Sequence, residues 1–151
     1  MTKRASEAAL GLALREVELM IYVYKPPDGV NTNLKPCDYM VWFGVNGFVV
    51  PAWFEAKDVD SVKAFNLKEL RPSQVNGIRD ASRVGLEYWV GIYWRRHRKW
   101  TISNGAKLLG WWDEGHYPSV SYELLSSRFG IDTDPRNLVS TLKDVLMGDV
   151  G

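Results

Sequence analysis

DYMVWFGVNGFVVPAWFEAK, residues 38–57, decides the fold. Asp38 to Val45 is rich in β-branched and aromatic residues, Asn46-Gly47 follows, and Phe48 to Lys57 resumes the pattern. Asn-Gly between two such runs is the strongest short signal for a β-hairpin, because both turn residues must adopt φ > 0. A two-residue loop also fixes the register. Val45 then faces Phe48, and counting back puts Asp38 directly across from Glu55. Opposed side chains on one face have Cβ atoms about 4.5–5.5 Å apart. Lys57 is two residues beyond Glu55, so it shares that face about 7 Å further along. Pro51 cannot donate a ladder hydrogen bond, which predicts an edge strand or a bulge at that point.

Two carboxylates that face each other repel unless a positive charge lies between them. Hard oxygen ligands suit Mg²⁺, which takes one or two carboxylates and keeps several waters. Such an ion polarises a phosphoryl oxygen and lowers the pKa of a water. Lys57 is placed to orient that water or to offset charge on phosphate. Acid, acid and amine on one hairpin face thus suit metal-assisted phosphodiester hydrolysis. By spacing alone, the same three residues also fit a solvated strand face.

Outward from the hairpin, Leu10, Leu14, Val17 and Ile21 recur at helical spacing and predict a helix over residues 5–21. Glu7 projects from the same stripe. It is either an exposed first-turn acid complementing the helix dipole or an additional site carboxylate. Residues 25–36, KPPDGVNTNLKP, read as a loop, and residues 58–71 as a polar connection. Pro72 suits a first helical position. In the helix that follows, Gln74, Ile78 and Ala81 share a face, and Gly85 ends it. Gln74 is either a core amide bonded to backbone or a donor to the site. Glu87 to Trp94 reads as a buried strand and Trp100 to Ser103 as its return. Asp134-Pro135 starts a helix that carries Leu138, Leu142, Val145 and Leu146. The order predicts one domain over residues 1–151. It is an α/β (α+β) fold with a mixed, mostly antiparallel sheet packed by helices. Its core spans about residues 5–103, with a helical C-terminal extension over about 104–151.

Composition narrows the classes. The chain has 151 residues, 46 % hydrophobic and 25 % charged, and is neither disordered nor collagen-like nor a coiled coil. One Cys cannot form an internal disulfide. No apolar run reaches the roughly 18 residues of a membrane span, and the N-terminal residues lack a signal-peptide pattern. Net charge is +1, so any nucleic-acid contact must come from local patches. Arg95, Arg96, His97, Arg98 and Lys99 crowd one turn between Trp94 and Trp100. That run is either a solvated loop or a phosphate contact, and Lys63, Lys68 and Arg71 extend the basic surface. Trp111 and Trp112 read as core or dimer surface, with stacking on unpaired bases the alternative; His116 lies in a loop beside them, and Cys37 reads as packing.

CDYMVW, then WFEAKDV, then FNLKELRPSQVNGI, in that order and spacing, resemble the RecU-type Holliday junction resolvases of the PD-(D/E)XK nuclease superfamily. The likeness covers about residues 36–102. It implies a restriction-endonuclease-like fold, a mixed β-sheet flanked by helices. It also implies a cytoplasmic homodimer that resolves four-way DNA junctions with Mg²⁺ (Mn²⁺ substituting) in recombination and repair, in a bacterial cell or phage-infected host. Residue by residue, Asp38 and Glu55 match the metal-binding acids, Lys57 the catalytic lysine and Gln74 the glutamine of the next helix. Glu7 resembles an acid that some relatives add from the first helix. The chain departs from the pattern at Pro36-Cys37-Asp38, where the Pro and Asp are not adjacent. It departs also at Trp53, and in the short stretch from Lys25 to Lys35 where relatives insert a stalk. Two alternatives remain: a nuclease of this superfamily acting on flaps, ends or linear duplex, and a non-catalytic DNA-binding module of the same fold.

Overall fold

The computed structural model, which describes residues 2–27, 35–116 and 118–148, folds the decisive stretch as one uninterrupted hairpin. Asn46 (φ 50°) and Gly47 (φ 83°) make the turn between β2 (Tyr39–Val45) and β3 (Phe48–Val59). The register predicted from the turn runs unbroken from Val45↔Phe48 to Tyr39↔Phe54, with Pro51 opposite Trp42 and no bulge. Pro51 is tolerated because the neighbouring strand on its other side starts pairing only at Ala52. The nitrogen that lacks a hydrogen therefore interrupts no ladder.

Helix α1 (Lys3–Glu16) is capped by Thr2, whose side chain accepts from the Ala5 N–H at 3.2 Å. It buries Leu10 and Leu14 and ends just before the buried Val17, short of the predicted end. Val17 is already extended and Leu19 has φ 74°. Ile21 therefore lies on an edge strand, β1 (Met20–Tyr24), which pairs antiparallel with β2. Most of the loop expected over residues 25–36 falls outside the described residues.

The connection after β3 is not wholly irregular. It contains β4 (Ala64–Asn66), with Phe65 fully buried, and a 3₁₀ turn at Leu67–Glu69. Helix α2 (Pro72–Arg83) has Pro72 in its first turn, and Gly85 follows at φ 74°. The segment between β3 and β5 (Glu87–Trp94) serves as a crossover, and the two strands run parallel. Next come β6 (Lys99–Asn104), α3 (Gly105–Asp113), β7 (Ser119–Ser121), α4 (Tyr122–Ser127), β8 (Gly130–Thr133) and α5 (Leu138–Leu146). Among the described residues, six strands form the main sheet in the order β1-β2-β3-β5-β6-β8, and β4 pairs with β7 separately. Among the described residues, β3·β5 is the one parallel pair of the main sheet.

Residues 104–151 are thus more than a helical extension. β8 is an edge of the main sheet, and Leu138, Leu142, Val145 and Leu146 of α5 join Leu10 and Leu14 in one core. A second core under α2, α3 and α4 gathers Ile78, Ala81, Leu108 and Leu125 against Val90, Ile92 and Trp94. The result is an α+β fold with helices on both faces of a mixed sheet, the layout of the restriction-endonuclease-like class. Among the described residues no helix is long and apolar enough to cross a membrane.

Candidate active site

Alternation along β3 divides its residues. Phe54 and Ala56 face the α1–α5 core, while Glu55 and Lys57 face the α2 side with Val59. Glu55 is 0 % exposed, Asp38 and Gln74 4 %, and Lys57 5 %. Asp38 lies one residue before β2. Its N–H donates to the Phe54 carbonyl at 3.0 Å, and its Oδ2 accepts from the Ala56 N–H at 2.9 Å. Asp38, Glu55 and Lys57 therefore lie together, as the hairpin register requires.

Each charge is held by a specific neighbour. Gln74, at the third position of α2, accepts from the Arg71 N–H at 2.8 Å through Oε1. That bond fixes the amide orientation, so Nε2 donates to Glu55 Oε1 at 2.6 Å. Lys57 Nζ donates to the Glu69 carbonyl at 3.2 Å and lies 3.9 Å from Glu55 Oε1. The 3₁₀ turn at Leu67–Glu69 thus sets the position of the lysine.

Glu7 also reaches this site. The Tyr39 hydroxyl donates to the Glu7 carbonyl at 2.8 Å and ties α1 to β2 there. Burial, then a hydrogen bond and repulsion from Asp38, push the Glu7 carboxyl from 4.5 up to about 7, against the pull of Lys35 and Lys25. Burial also works to raise Asp38. It is outweighed by hydrogen bonding to Glu7, Glu55 and the Ala56 N–H and by the charge of Lys35, which hold Asp38 below its ordinary value. Three carboxyl groups therefore form one chain, Glu7–Asp38–Glu55. Burial, followed by the nearby Glu55 and Asp38 charges, pushes the Cys37 thiol far up, which fits packing rather than nucleophilic use.

Sequence reasoning missed two cations of the site. Lys35 Nζ lies 3.4 Å from Asp38 Oδ1 and 3.7 Å from Glu7 Oε1, and Lys25 Nζ lies 3.7 Å from Glu7 Oε2. Lys35 is placed by its neighbour Pro36, whose carbonyl accepts from the Tyr88 hydroxyl at 2.5 Å. Gly77 of α2 packs on the same residue, and a Cβ there would meet the Pro36 oxygen at 2.8 Å. No periodicity in the Pro-rich stretch signals any of this.

The basic turn lies elsewhere. Val59 pairs with Trp94, so the turn begins beyond the ends of β3 and β5, about 13 Å along the strands from Glu55. Arg95 donates to Asp58, and Arg96 Nε donates to the Asp60 carbonyl at 2.8 Å. His97 Nε2 lies 2.6 Å from the Val62 carbonyl and its ring stacks on Tyr122 at 4.0 Å. Lys99 reaches Asp132 at 3.5 Å. Arg98 is exposed, with φ 54°. Asp58 was also missed, although alternation puts it on the same core-facing side as Phe54 and Ala56. It is held there by Ser6, whose hydroxyl donates at 3.1 Å, as well as by Arg95. Lys63, Lys68 and Arg71 are exposed, and the last two flank Glu69. Trp111 stacks on His116 at 3.8 Å and belongs to the packing around α3.

Among the described residues no group of three His, Cys, Asp or Glu side chains forms a ready cation cage. Mg²⁺ needs less, one or two carboxylates with waters completing its shell. The donor set of Asp38 and Glu55, all oxygen and buried beside a lysine, fits that hard ion. Zn²⁺ would call for His or Cys, and Cys37 turns its sulfur to the Tyr39 carbonyl at 3.5 Å. No protein-family model matches the chain, and no curated protein matches it.

Proposed function

We propose that this chain is a Mg²⁺-dependent endodeoxyribonuclease, with four-way DNA junctions as its substrate and a homodimer as its working form. The observation that carries this reading is the Glu55 cluster. A fully buried carboxylate is oriented by Gln74, lies 3.9 Å from the Lys57 ammonium and belongs to the same carboxyl chain as Asp38. A structural hairpin gains nothing from such a group, since replacing buried ionic clusters by apolar residues is often neutral or stabilising. Asp38 and Glu55 would hold the ion, with Glu7 at its outer side. When bound, Mg²⁺ supplies polarisation of a phosphoryl oxygen and activation of a water. Gln74 holds Glu55 in place through its bond to Oε1 at 2.6 Å. Lys57, fixed by the Glu69 carbonyl, brings positive charge to the non-bridging oxygens of the phosphodiester. Two copies related by a two-fold axis would match a junction whose strands are related in the same way.

Incubation of the purified protein with end-labelled four-way junctions and Mg²⁺ tests the proposal. Paired nicks at symmetric positions are expected, and Asp38→Asn and Glu55→Gln should abolish them while junction binding persists. Junctions that stay intact at every divalent-ion concentration would refute it. A second reading keeps the chemistry but substitutes flaps, ends or linear duplex. It is favoured by the pairing of Arg95, Arg96 and Lys99 with acids of this same chain, which leaves less cationic surface for a branched substrate. Faster cleavage of those substrates than of junctions would select it.

A further inference from the structure

Lys35 is the feature of the site that the nuclease reading does not use. Its side chain is only 10 % exposed, in a position where lysine is rarely found without a partner. Its ammonium bridges acids from two separate elements, Glu7 of α1 and Asp38 at the entry to β2, at 3.7 and 3.4 Å. Bridging carboxylates from different elements is the task of a bound divalent cation. Lys57 does not share this place, since it lies against Glu55 and the Glu69 carbonyl. The surroundings permit an exchange. The backbone beside Lys35 is anchored through Pro36 to Tyr88, while the four-carbon stem of a lysine is flexible. Side-chain exposure rises from 0 % at Glu55 to 10 % at Lys35, 13 % at Glu7 and 43 % at Lys25, so Lys35 lies nearer to solvent than Glu55 does.

Resting on the metal-dependent reading, we propose that Lys35 is an internal cation that competes with the divalent ion for the Glu7–Asp38 pair. Without the ion it holds the two acids together, and it leaves when the ion binds. Removing it therefore exposes the acids to each other in the metal-free protein and strengthens ion binding. A purely structural lysine would do only the first.

Two measurements on the full chain test this. The first is Mn²⁺ affinity by electron paramagnetic resonance of the free ion, for wild type, Lys35→Met, Lys35→Arg and Lys25→Met. Lys35→Met should bind Mn²⁺ about ten-fold or more tightly than wild type, because a charge within a few ångströms of the ion has been removed. Lys35→Arg, which keeps the charge, should bind like wild type, and Lys25→Met should shift much less because Lys25 is more exposed. The second uses unaltered protein, so that folding of a variant does not enter. Brief acetylation with an amine-reactive reagent, mapped by mass spectrometry, should modify Lys35 slowly in chelator and at least about ten-fold faster with saturating Mg²⁺. Unchanged or weaker Mn²⁺ affinity in Lys35→Met, or Lys35 equally protected with and without Mg²⁺, overturns the competition. If wild type binds Mn²⁺ in that case, the nuclease reading stands. If neither wild type nor Lys35→Met binds the ion, both fall.

Discussion

Gln74 offers the sharpest test of how the site is built, because one side chain makes two bonds of different kinds. Its Oε1 accepts from the Arg71 N–H at 2.8 Å, a capping contact at the start of α2. Its Nε2 donates to the fully buried Glu55 at 2.6 Å, a charge-assisted bond to a group without exposed surface. The first is worth about 1 kcal/mol, by analogy with other helix caps. The second is worth about 1.5–3 kcal/mol, as for hydrogen bonds to charged groups. Gln74→Leu keeps the volume and removes both, so a loss of roughly 3 kcal/mol is expected. For a chain of this size that is a fall in Tm of about 6–12 °C. Urea unfolding in chelator at pH 7.5 measures it. The double-mutant cycle with Glu55→Gln separates the terms. Once Glu55 carries no charge, Gln74→Leu should cost about 1.5 kcal/mol less than in wild type. Cleavage should fall too, since Glu55 would no longer be held toward Asp38. A loss below about 1 kcal/mol, or additive single mutants, would show that Gln74 does not orient Glu55, and the account of the site would fail with it.

Lys57→Met leaves Glu55 buried without its ammonium and should destabilise the metal-free protein by about 3 kcal/mol or more; Lys57→Met with Glu55→Gln should recover much of that, and a cost equal in both backgrounds would sever the pair. The Glu7 carboxyl, raised by burial and Asp38 to about 7, binds its proton more tightly in the folded than in the unfolded chain. Its stabilising contribution is therefore full below pH 4.5 and lost as pH rises through about 7. Glu7→Gln lacks that dependence, so its Tm in chelator should gain on wild type between pH 5 and pH 8; a constant difference would place Glu7 away from Asp38. Arg95→Ala with Arg96→Ala should weaken DNA binding and flatten its dependence on salt if the basic turn touches phosphate. An unchanged slope, read by fluorescence anisotropy, would mean that Asp58 and Asp60 already occupy those guanidinium groups.

The hairpin was legible because its information is local. Asn46-Gly47 sets a turn with φ > 0, the turn sets the register, and the register alone brings Asp38, Glu55 and Lys57 to one face. Gln74 was legible through Pro72, which starts α2 and thereby puts the glutamine one turn in. Ile21 misled because its spacing from Val17 suits a helix, whereas Leu19 turns the chain and β2 offers an edge to pair with. β8 carries a single large apolar residue, Ile131, and becomes a strand only because β6 presents a free edge beside it. Lys35 was invisible for a related reason. It is placed by Tyr88 and Gly77, which lie more than forty positions away in sequence. The basic turn shows the opposite limit. Its charge is obvious in the sequence, but the acids that meet it come from β3, the connection after it and β8.

Three acids gathered around Asp38 tend to push the fold apart, so something must over-determine their positions. The constraints fall on the backbone beside each acid rather than on the carboxylates alone. The Tyr39 hydroxyl holds the Glu7 carbonyl, and the ring of Tyr39 occupies the space left by Gly11, where a Cβ would lie 2.3 Å from that hydroxyl. Tyr88 and Gly77 hold Pro36, two residues before Asp38. The hairpin ladder and the parallel pairing with β5 hold Glu55. Glu7 arrives from the α1 face of the sheet and Glu55 from the α2 face. Asp38, at the margin where β2 begins, is the residue through which the two meet. The acids are therefore not equivalent. Loss of the Glu7 carboxylate leaves the Asp38–Glu55 pair in place, whereas loss of the Asp38 carboxylate separates Glu7 from Glu55 and removes the acid 3.4 Å from the Lys35 ammonium.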